Sequence, residues 1–405
     1  MNIIIVNDYC AVKGGSDKVA IVSAEELSKR GHNVTYLGAV GPICNELLNS
    51  NIHMVCLNQD DVWNGKNKVK AFIRGIWNKK SKKDFSRLLD YYDNRDTIIH
   101  FHGLTKSLTF SVIEAALEKN FKIVFTLHDY FTFCPNGAYY NYKTHEICSY
   151  KPLSAQCRRC NCDSKHYYYK IWRLMRHRKI MREGLVTDKI KNYIYISETS
   201  MKILKPYLCE NANFYYVKNP VDIEKEPAVN VKNNNSFVYI GRLSKEKGCL
   251  EFAKAAKELN INAVFVGDGQ LKEQIKDIYP EAVITGWVDS EAVKKQLQNA
   301  RVLVFPSLWY ETLGLTVLEA QAKGVPAIIS NTCTATEFVK NNETGLWFNT
   351  PDIQDLKEKI KIMQSDETAE AYGRNAYESY WKNDFTIENH VNQLIKVYED
   401  ILERG

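Results

Sequence analysis

Phe305-Pro-Ser-Leu-Trp-Tyr-Glu-Thr-Leu-Gly-Leu-Thr-Val-Leu-Glu-Ala-Gln-Ala-Lys-Gly-Val-Pro326 carries the strongest local pattern in this sequence of 405 residues. The apolar run that leads into it, Arg301–Phe305, predicts a buried parallel strand. The spacing of its own apolar residues predicts a helix that begins at or just after Gly314 and ends at Gly324. A helix N-terminus presents unpaired N–H groups and about half a positive charge, which suits a phosphate group. The predicted phosphate-binding turn comprises Thr312, Leu313, Gly314 and Leu315.

Two carboxylates lie close to this turn. Glu311 belongs to the predicted loop, and Glu319 lies one to two turns into the predicted helix. Carboxylates repel phosphate, so we predict that both accept hydrogen bonds from hydroxyl groups of a sugar and a ribose attached to the phosphate. The alternative is a solvated helix face, because glutamate is a common helix former.

The spacing of Glu311 and Glu319 resembles the Glu-x7-Glu motif of retaining glycosyltransferases of family 4, as do the residues around them. A second segment, Phe237-Val-Tyr-Ile-Gly-Arg-Leu-Ser-Lys-Glu-Lys-Gly248, is similar to the other strong signature of that family. The resemblance spans essentially the whole chain. It implies the α/β fold called GT-B, in which two Rossmann-like, doubly wound domains face each other across a cleft and a C-terminal helix crosses back to the first domain.

The resemblance also implies the transfer of a sugar from a UDP-, GDP- or ADP-linked donor to a hydroxyl acceptor, with retention of configuration. Arg242 and Lys247 would bind the diphosphate, the first as a planar fork and the second as a point charge. The alternative is two exposed cations beside a turn. The family holds the nucleotide base near Trp287 and Val288, and a histidine at the position of His128 reaches the donor sugar. The sequence has no Asp-x-Asp pair of the kind that metal-dependent transferases use.

Length and composition predict a globular protein of two domains. Hydrophobic residues make up 45% of the chain and charged residues 25%, which are ordinary values for a globular protein. No apolar run approaches the length of about 20 residues that spans a bilayer. The segment Met1–Val6 lacks the basic region and cleavage site of a signal peptide and reads as a first strand. We therefore expect a cytoplasmic protein with mostly reduced cysteines.

The predicted acceptor-binding domain covers residues 1–218, and the predicted nucleotide-sugar-binding domain covers residues 219–384. The first domain would include a Cys-rich insertion at about residues 134–165, and a final helix at residues 385–405 would pack back on it. Charge is divided in the same way, because Lys and Arg exceed Asp and Glu in the first part and fall short of them in the second. This asymmetry predicts two units with different partners.

Two features of the first domain are candidate parts of the site. Gly14 and Gly15 follow the first strand, where they either form a mere tight turn or let the backbone approach the donor closely, as the family resemblance favours. His128 closes a predicted strand at the end of the sheet where ligands bind in open α/β folds. His100 and His102 also close a strand, and we interpret both as buried polar groups with satisfied hydrogen bonds.

Five of the 11 cysteines fall within residues 134–162. Cys157 and Cys160 have the spacing of a metal-binding knuckle, and Cys134 and Cys148 could complete a tetrahedral structural zinc site. Unliganded thiols in an ordered insertion are the equal alternative. Catalysis itself requires no cofactor in this interpretation.

Two segments, Lys66–Arg87 and Lys165–Arg182, combine many cations with aromatic and aliphatic residues at helical spacing. This composition is typical of helices that lie on an anionic membrane surface. Solvated helices that pack their apolar stripe on their own domain would show the same pattern, and nucleic acid would also explain the cations. We expect no nucleic-acid partner, because no nucleic-acid-binding module accompanies these segments.

The sequence therefore predicts a cytoplasmic glycosyltransferase, peripheral at the membrane, that adds a sugar to a glycan acceptor, lipid-linked in capsule or O-antigen assembly. Its predicted catalytic residues are His128, Arg242, Lys247 and Glu311. Two other classes stay open: a nucleotide-sugar enzyme of the same fold that is not a transferase, such as an epimerase, and a non-enzymatic lipid- or nucleic-acid-binding protein. The basic aromatic segments argue against an epimerase-like enzyme. The combined presence of Arg242, Lys247, Glu311 and Glu319 argues against a non-enzymatic binding protein.

Overall fold

A computed structural model describes residues 1–65 and 67–404, which form two compact units. Unit 1 comprises Met1–Ala138, Tyr150–Pro220 and Thr386–Gly405, and unit 2 comprises Tyr139–Ser149 and Val221–Phe385. The segment Tyr139–Ser149 belongs to the insertion that we predicted within the first domain, but it groups with unit 2. Lys66, the first residue of one predicted basic segment, lies outside the described residues.

Each unit is built on one parallel sheet, and a short antiparallel hairpin of β6 and β7 is separate from both sheets. The strands are β1 (Asn2–Tyr9), β2 (Asn33–Val40), β3 (His53–Cys56), β4 (Thr97–Phe101), β5 (Lys122–Leu127), β6 (Tyr140–Asn141), β7 (Glu146–Ile147), β8 (Asn192–Tyr195), β9 (Asn213–Tyr216), β10 (Ser236–Ile240), β11 (Ala263–Val266), β12 (Val283–Ile284), β13 (Ala300–Phe305), β14 (Ala327–Ser330) and β15 (Gly345–Phe348). The sheet of unit 1 has the order β3-β2-β1-β4-β5-β8-β9, and that of unit 2 has the order β12-β11-β10-β13-β14-β15. In each sheet the order reverses beside the first strand, and ligands of open α/β sheets bind at the carboxyl ends of strands at such a point.

Helices connect the strands. They are α1 (Gly15–Lys29), α2 (Asn45–Leu48), α3 (Lys68–Ile76), α4 (Lys79–Leu89), α5 (Ser111–Glu118), α6 (Ala155–Arg159), α7 (Tyr167–Arg182), α8 (Glu198–Leu204), α9 (Cys249–Leu259), α10 (Lys272–Ile278), α11 (Ser290–Gln298), α12 (Leu315–Ala322), α13 (Ile353–Met363), α14 (Asp366–Asn383) and α15 (Ile387–Glu403). Across residues 1–65 and 67–404, none of these helices has both the length and the apolar character needed to cross a membrane.

The core of unit 1 shows why the sequence forms a parallel sheet there. Ile3–Val6 of β1 are fully buried, because helices cover both faces of the sheet and a central strand then needs apolar residues on both sides. The final helix, α15, belongs to this core through Val391 and Leu394. The hydroxyl of Tyr398 on α15 lies 2.6 Å from Nδ1 of the buried His100. The final helix, α15, therefore packs in unit 1 through buried apolar side chains and one buried hydrogen bond.

A glycine sets the spacing between two segments of unit 2. Gly248 follows the turn after β10 and has φ +71°, a conformation that residues with a Cβ atom rarely adopt. A Cβ atom at this position would lie 1.9 Å from the carbonyl oxygen of Pro306, just after β13. The turn after β10 can therefore contact the loop after β13 only because residue 248 is glycine.

The free energy of unfolding is expected to fall as the pH is lowered from 7 to 5, because several histidines are buried in their neutral form. Burial lowers the pKa of His128 and His177 to about 3 and that of His390 to about 4. An unfolded histidine titrates near pH 6.5, so in this window the unfolded chain binds protons that the folded chain does not bind. Each such histidine removes up to about 2 kcal/mol of stability at pH 5. Urea unfolding at pH 7, 6 and 5 measures the slope.

Buried carboxyl groups act in the opposite direction. Burial raises the pKa of Asp8 to about 6 and also raises the pKa of Asp17, Asp129 and Glu251, so the folded state holds these protons more tightly than the unfolded state does. The five buried histidines with a lowered pKa outnumber these carboxyl groups, and the net effect of acid stays destabilising. His390→Asn should reduce the slope by about one proton, whereas the control His53→Asn, at an exposed position, should leave it unchanged. Constant or rising stability between pH 7 and pH 5 would contradict this account.

Candidate active site

The candidate donor site of unit 2 lies at the carboxyl ends of four neighbouring parallel strands, β12, β11, β10 and β13. The turns that follow these strands carry Trp287, Arg242 and Glu311. The carboxyl ends of parallel strands share one edge of the sheet, so segments far apart in the sequence are brought together there.

Glu311 is a buried carboxylate with three hydrogen-bond donors. Its Oε1 atom accepts from the hydroxyl of Ser307 at 2.5 Å, from Nε1 of Trp309 at 2.9 Å and from Nζ of Lys247 at 2.6 Å. Burial alone raises the pKa of this carboxyl group, but the Lys247 ammonium and the hydrogen bonds outweigh burial, so the pKa lies below its ordinary value. Glu311 is therefore ionised at neutral pH and can accept hydrogen bonds from hydroxyl groups.

Lys247 and Arg242, the predicted diphosphate ligands, differ in their surroundings. The side chain of Lys247 is 21% exposed, and its ammonium is committed to Glu311 and lies 5.2 Å from the ring centroid of Trp309. The side chain of Arg242 is 64% exposed, and its Nη2 atom contacts the carboxylate of Glu246 at 2.8 Å. Glu246 is itself buried and was not identified from the sequence, although its position four residues after Arg242 is the spacing of such a pair. Lys247 is thus paired with the buried Glu311, whereas Arg242 is paired with Glu246 and remains mostly exposed.

The turn before α12 presents unused donors, as the sequence predicts. Gly314 has φ +82°, which only glycine adopts readily, and Leu315 begins the helix. In the described residues, the N–H groups of Thr312, Leu313 and Gly314 have no hydrogen-bond acceptor. The hydroxyl of Thr316, which we did not identify from the sequence, is buried and also lacks a protein partner there. Buried polar groups are normally paired, so this hydroxyl points to a ligand.

The remaining donor-site residues of unit 2 lie at its margin. Glu319 is partly exposed on α12, and it raises the pKa of the Tyr380 hydroxyl electrostatically, as a secondary cause after burial. Trp287 follows β12 and is 80% exposed, whereas Val288 packs partly on the core. The backbone at 287–288 therefore lies at the same edge of the sheet as the other candidates. The indole ring of Trp287 is largely exposed to solvent.

In unit 1, Gly14 and Gly15 lie at the start of α1, and both are exposed. Gly14 has an extended backbone that any residue could adopt. A Cβ atom added there would meet only a carboxylate oxygen of Asp17, at 3.9 Å. Neither backbone strain nor protein packing thus demands glycine at position 14, and its approach to the donor stays a prediction.

His128 lines a small cavity at the carboxyl ends of β4 and β5. Its Nε2 atom lies 2.8 Å from Nδ1 of His102, so one ring donates to the other. Burial lowers the pKa of His128 to about 3, and at neutral pH the ring is uncharged. His128 can therefore offer a hydrogen bond to a sugar hydroxyl but cannot supply a positive charge.

The interpretation of His100 and His102 as satisfied buried groups is right for the first and wrong for the second. The nitrogens of His100 lie 2.6 Å from the hydroxyls of Tyr398 and Thr126. His102 lines the cavity beside His128, and its Nε2 atom is buried without a hydrogen-bond partner in the described chain. The two residues are two positions apart and lie on the same side of the chain, with ring centroids 4.0 Å apart. His102 lies just after β4 and reaches the cavity, whereas His100 lies within the strand, a distinction that a pair of strand-end histidines does not reveal.

Two of the four predicted zinc ligands, Cys134 and Cys157, lie within electrostatic reach of the Lys170 ammonium, as does Cys162. Cys134 donates to Oδ1 of Asn136 at 3.0 Å, and Cys148 lies just after the β6–β7 hairpin of unit 2. Cys157 lies on α6 and Cys160 at its end. Over residues 1–65 and 67–404, no three Cys, His, Asp or Glu side chains are arranged to hold a metal ion. A buried cation, Nζ of Lys170, instead lies 3.6 Å from Sγ of Cys157, and the zinc site stays a prediction.

Comparison with known proteins shows that part of this chain is similar to glycosyltransferases. Residues 221–379 match the family model described as glycosyl transferases group 1. The Escherichia coli UDP-Gal:alpha-D-GlcNAc-diphosphoundecaprenol alpha-1,3-galactosyltransferase is 31% identical over 212 residues, which cover 46% of this chain and 54% of that protein. The chain thus spans about half the length of this relative. An uncharacterized 42.6 kDa protein in the cps region of Klebsiella pneumoniae is 23% identical over 419 residues, which cover 98% of this chain and 100% of that protein.

The predicted fold is confirmed by similarity to solved structures. The crystal structure of Anabaena HepE in complex with UDP-glucose has a TM-score of 0.69 at 15% identity, and the match covers 99% of this chain and 100% of that chain. Residues 221–379 are similar to the group 1 glycosyl transferases, and the two parallel-sheet units have the GT-B fold.

Proposed function

We propose that the chain is a retaining glycosyltransferase that moves a sugar from a nucleotide diphosphate sugar to a hydroxyl acceptor without a metal ion. The observation that carries this proposal is the ion pair of Lys247 and Glu311, with Nζ and Oε1 2.6 Å apart, in the domain that matches the family model. An ammonium can bind a diphosphate, and a buried carboxylate can accept hydrogen bonds from sugar hydroxyls. The contact between Lys247 and Glu311 therefore brings together the residues proposed to bind the two parts of the donor.

The proposed chemistry depends on charge that develops when the bond between the sugar and the diphosphate breaks. Arg242, Lys247 and the N–H groups of residues 312–314 would stabilise negative charge on the departing diphosphate. Donors that are fixed before the reaction, in a site with little water, commonly lower such a barrier by several kcal/mol. A cluster of this kind supplies the charge stabilisation that a metal ion supplies in other transferases.

Glu311 and Lys247 would exchange partners when the donor binds. In the structure Glu311 neutralises Lys247, and an arriving diphosphate would take over the ammonium. The freed Oε1 of Glu311 would then accept a hydrogen bond from a hydroxyl of the transferred sugar. Glu311 acts here as a hydrogen-bond acceptor and not as a nucleophile, while Glu319 would accept from the ribose. Neutral His128 would hold another sugar hydroxyl.

We further propose that the acceptor is a lipid-linked glycan in the synthesis of a bacterial surface polysaccharide such as capsule or O-antigen. The Escherichia coli relative acts on a diphosphoundecaprenol-linked sugar, and the Klebsiella relative is encoded in a cps region, as their names state. Unit 1, which carries the excess of positive charge, would bind the acceptor.

The surface of unit 1 supports attachment to a membrane. Helices α3 and α7 are packed together, and both expose apolar residues. We call this exposed set the apolar face, and it consists of Val69, Phe72 and Ile73 on α3 and Tyr168, Ile171 and Met175 on α7. Exposed cations adjoin it, namely Lys68, Lys70, Arg178 and Arg182. Apolar side chains that insert at the headgroup level, with cations that attract anionic lipid, are the two requirements of a peripheral membrane surface.

Arg242→Ala and Lys247→Ala should each lower turnover about a hundredfold or more, because each removes charge stabilisation that the departing diphosphate needs. Sugar transfer and donor hydrolysis measured with purified protein test this. Lys361→Ala, which removes an exposed lysine on α13 of the same unit, is the matched control and should keep normal rates. Near-normal rates in both site variants would end the diphosphate assignment.

A second pair of variants separates folding from chemistry. Lys247→Met leaves the buried Glu311 without its cation and should lower stability by about 2 kcal/mol or more. Adding Glu311→Gln removes the unpaired charge, so the double variant should recover most of this stability while its turnover stays low. If activity returned together with stability, the effect of Lys247 would be structural.

Thr316→Val should leave stability unchanged or slightly raised, because the hydroxyl it removes has no protein partner and the shapes are similar. If this hydroxyl binds the donor, the KM for the nucleotide sugar should rise about tenfold, the effect of losing one good hydrogen bond. Thr368→Val, at a half-buried threonine on α14, controls for the substitution type. An unchanged KM would exclude Thr316 from the donor site.

Reversing the charges of Lys68, Lys70, Arg178 and Arg182 to Glu should release the protein from vesicles that contain anionic lipid. Each cation near such a surface contributes about 1 kcal/mol, screened by salt. Activity on a lipid-linked acceptor should fall, while donor hydrolysis should persist because unit 2 is untouched. The control reverses four exposed lysines of unit 2, at positions 254, 272, 361 and 382. Equal sedimentation of both variants with vesicles, or no binding by the unmodified protein, would contradict the membrane proposal.

A further inference from the structure

The proposed function gives His128 a contact with a sugar hydroxyl but assigns nothing to His102, which lines the same cavity. His102 is only 3% exposed, and its Nε2 atom has no hydrogen-bond partner in the described chain. A buried polar atom without a partner costs free energy that an apolar side chain of similar size would not cost. The imidazole of His102 is therefore better explained by a function than by packing.

The other ring nitrogen of His102 contacts His128. Nδ1 of His102 lies 2.8 Å from Nε2 of His128, and the two ring planes are inclined by 22°. The ring centroids lie 5.1 Å apart, which is close to the largest separation that this nitrogen–nitrogen distance permits. The contact therefore runs along both ring planes, the direction in which an imidazole N–H group and an imidazole lone pair point. The two histidines thus share a well-aligned hydrogen bond.

The position of His102 is fixed by the strands around it. Its backbone N–H donates to the carbonyl oxygen of Val6 at 2.9 Å, and its ring centroid lies 4.0 Å from that of His100. Both nitrogens of His100 are occupied, because they lie 2.6 Å from the hydroxyls of Tyr398 and Thr126. The ring of His102 is therefore held in place by groups that do not compete for its hydrogen bond.

The surroundings of the two rings also indicate which of them donates. Burial keeps both rings neutral, because it lowers the pKa of His128 to about 3 and the pKa of His102 well below its ordinary value. A neutral imidazole carries one N–H group and one lone pair. If His128 donated, the proton of His102 would lie on Nε2, as a buried N–H group without a protein acceptor in the described chain. Buried N–H groups that lack an acceptor are rarer in proteins than buried acceptors that lack a donor. This preference makes His102 the donor and leaves the proton of His128 on Nδ1.

We propose that His102 is a positioning residue that donates from Nδ1 to Nε2 of His128. This bond makes Nδ1 of His128 an N–H donor, which is directed at a hydroxyl oxygen of the transferred sugar. Nδ1 of His128 has no protein partner in the described residues, and it is not enclosed, since the side chain is only half-buried. The inference rests on the proposed function and adds the nitrogen that binds the sugar and the direction of the hydrogen bond.

The proton positions can be measured without any substrate. In protein that carries nitrogen-15 histidine, long-range proton–nitrogen correlation spectra at neutral pH distinguish the protonated from the unprotonated nitrogen of each ring. His128→Ala assigns the signal of His128, because that signal disappears from the spectrum. The proton of His128 should lie on Nδ1, and His102→Leu should move part of the population to Nε2. A proton on Nε2 of His128 in the unmodified protein would overturn the proposal.

Calorimetry with UDP, GDP or ADP, whichever stabilises the unmodified protein, and with its hexose conjugates gives the second readout. His102→Leu should weaken binding of the nucleotide sugar about tenfold, the effect of losing one good hydrogen bond, and leave binding of the nucleoside diphosphate unchanged. His102→Asn places an amide N–H group near the position of Nδ1 and should restore most of the affinity. In the His128→Ala background, His102→Leu should have no further effect, because His102 acts through His128. Independent losses from the two substitutions, or equal losses for both ligands, would contradict the proposal.

His100→Asn is the matched control on the same strand. It weakens two buried hydrogen bonds that do not involve His128, so it should lower the Tm but keep the ratio of the two affinities. If His102→Leu does not fold, the spectra of the unmodified protein and the affinities of His102→Asn decide the proposal. Failure of every nucleotide and nucleotide sugar to bind would refute the proposed function, whereas the proton position in His128 would still decide the proposed hydrogen bond.

Discussion

The contact between Lys247 and Glu311 is the interaction on which the donor site depends. The two residues come from the turns after β10 and β13, which approach each other because Gly248 has no Cβ atom to collide with Pro306. A buried carboxylate without a cation would be strongly destabilising, so each residue holds the other in place. The protein thereby keeps the proposed diphosphate ligand and the proposed sugar ligand assembled before any substrate binds, and such preorganisation reduces the reorganisation required during a reaction.

The cavity of unit 1 differs from the donor site, because the histidines that line it are uncharged or lack a hydrogen-bond partner. Burial keeps His128 neutral, and His102 beside it has one nitrogen without a hydrogen bond. A neutral imidazole suits the hydroxyl groups of a sugar, which can both donate and accept hydrogen bonds.

Much of the fold and of the donor site could be predicted from local sequence, because strands, glycine turns and helix starts leave short-range patterns. The turn at Gly314 and the strand before Glu311 are examples, and the charged residues that we identified lie at one edge of the sheet. The pairing of Lys247 with Glu311 could not be predicted, since 64 residues separate them and only the tertiary structure brings them together. The burial of both cations and apolar residues on α7 could not be predicted for a similar reason. Its sequence shows cations and apolar residues at helical spacing, but which side is buried depends on the neighbouring elements.

The most direct test of the proposed partner exchange is the affinity of Glu311→Gln for a nucleoside diphosphate and for the matching nucleotide sugar, measured by calorimetry with whichever of UDP, GDP or ADP stabilises the unmodified protein. Removing the carboxylate frees Lys247 from its internal partner, so the variant should bind the nucleoside diphosphate several-fold more tightly. It should bind the nucleotide sugar with a smaller gain or with a loss, because the acceptor for the sugar hydroxyl is weakened. Unchanged or weaker binding of the nucleoside diphosphate would contradict the account, as would equal gains for both ligands.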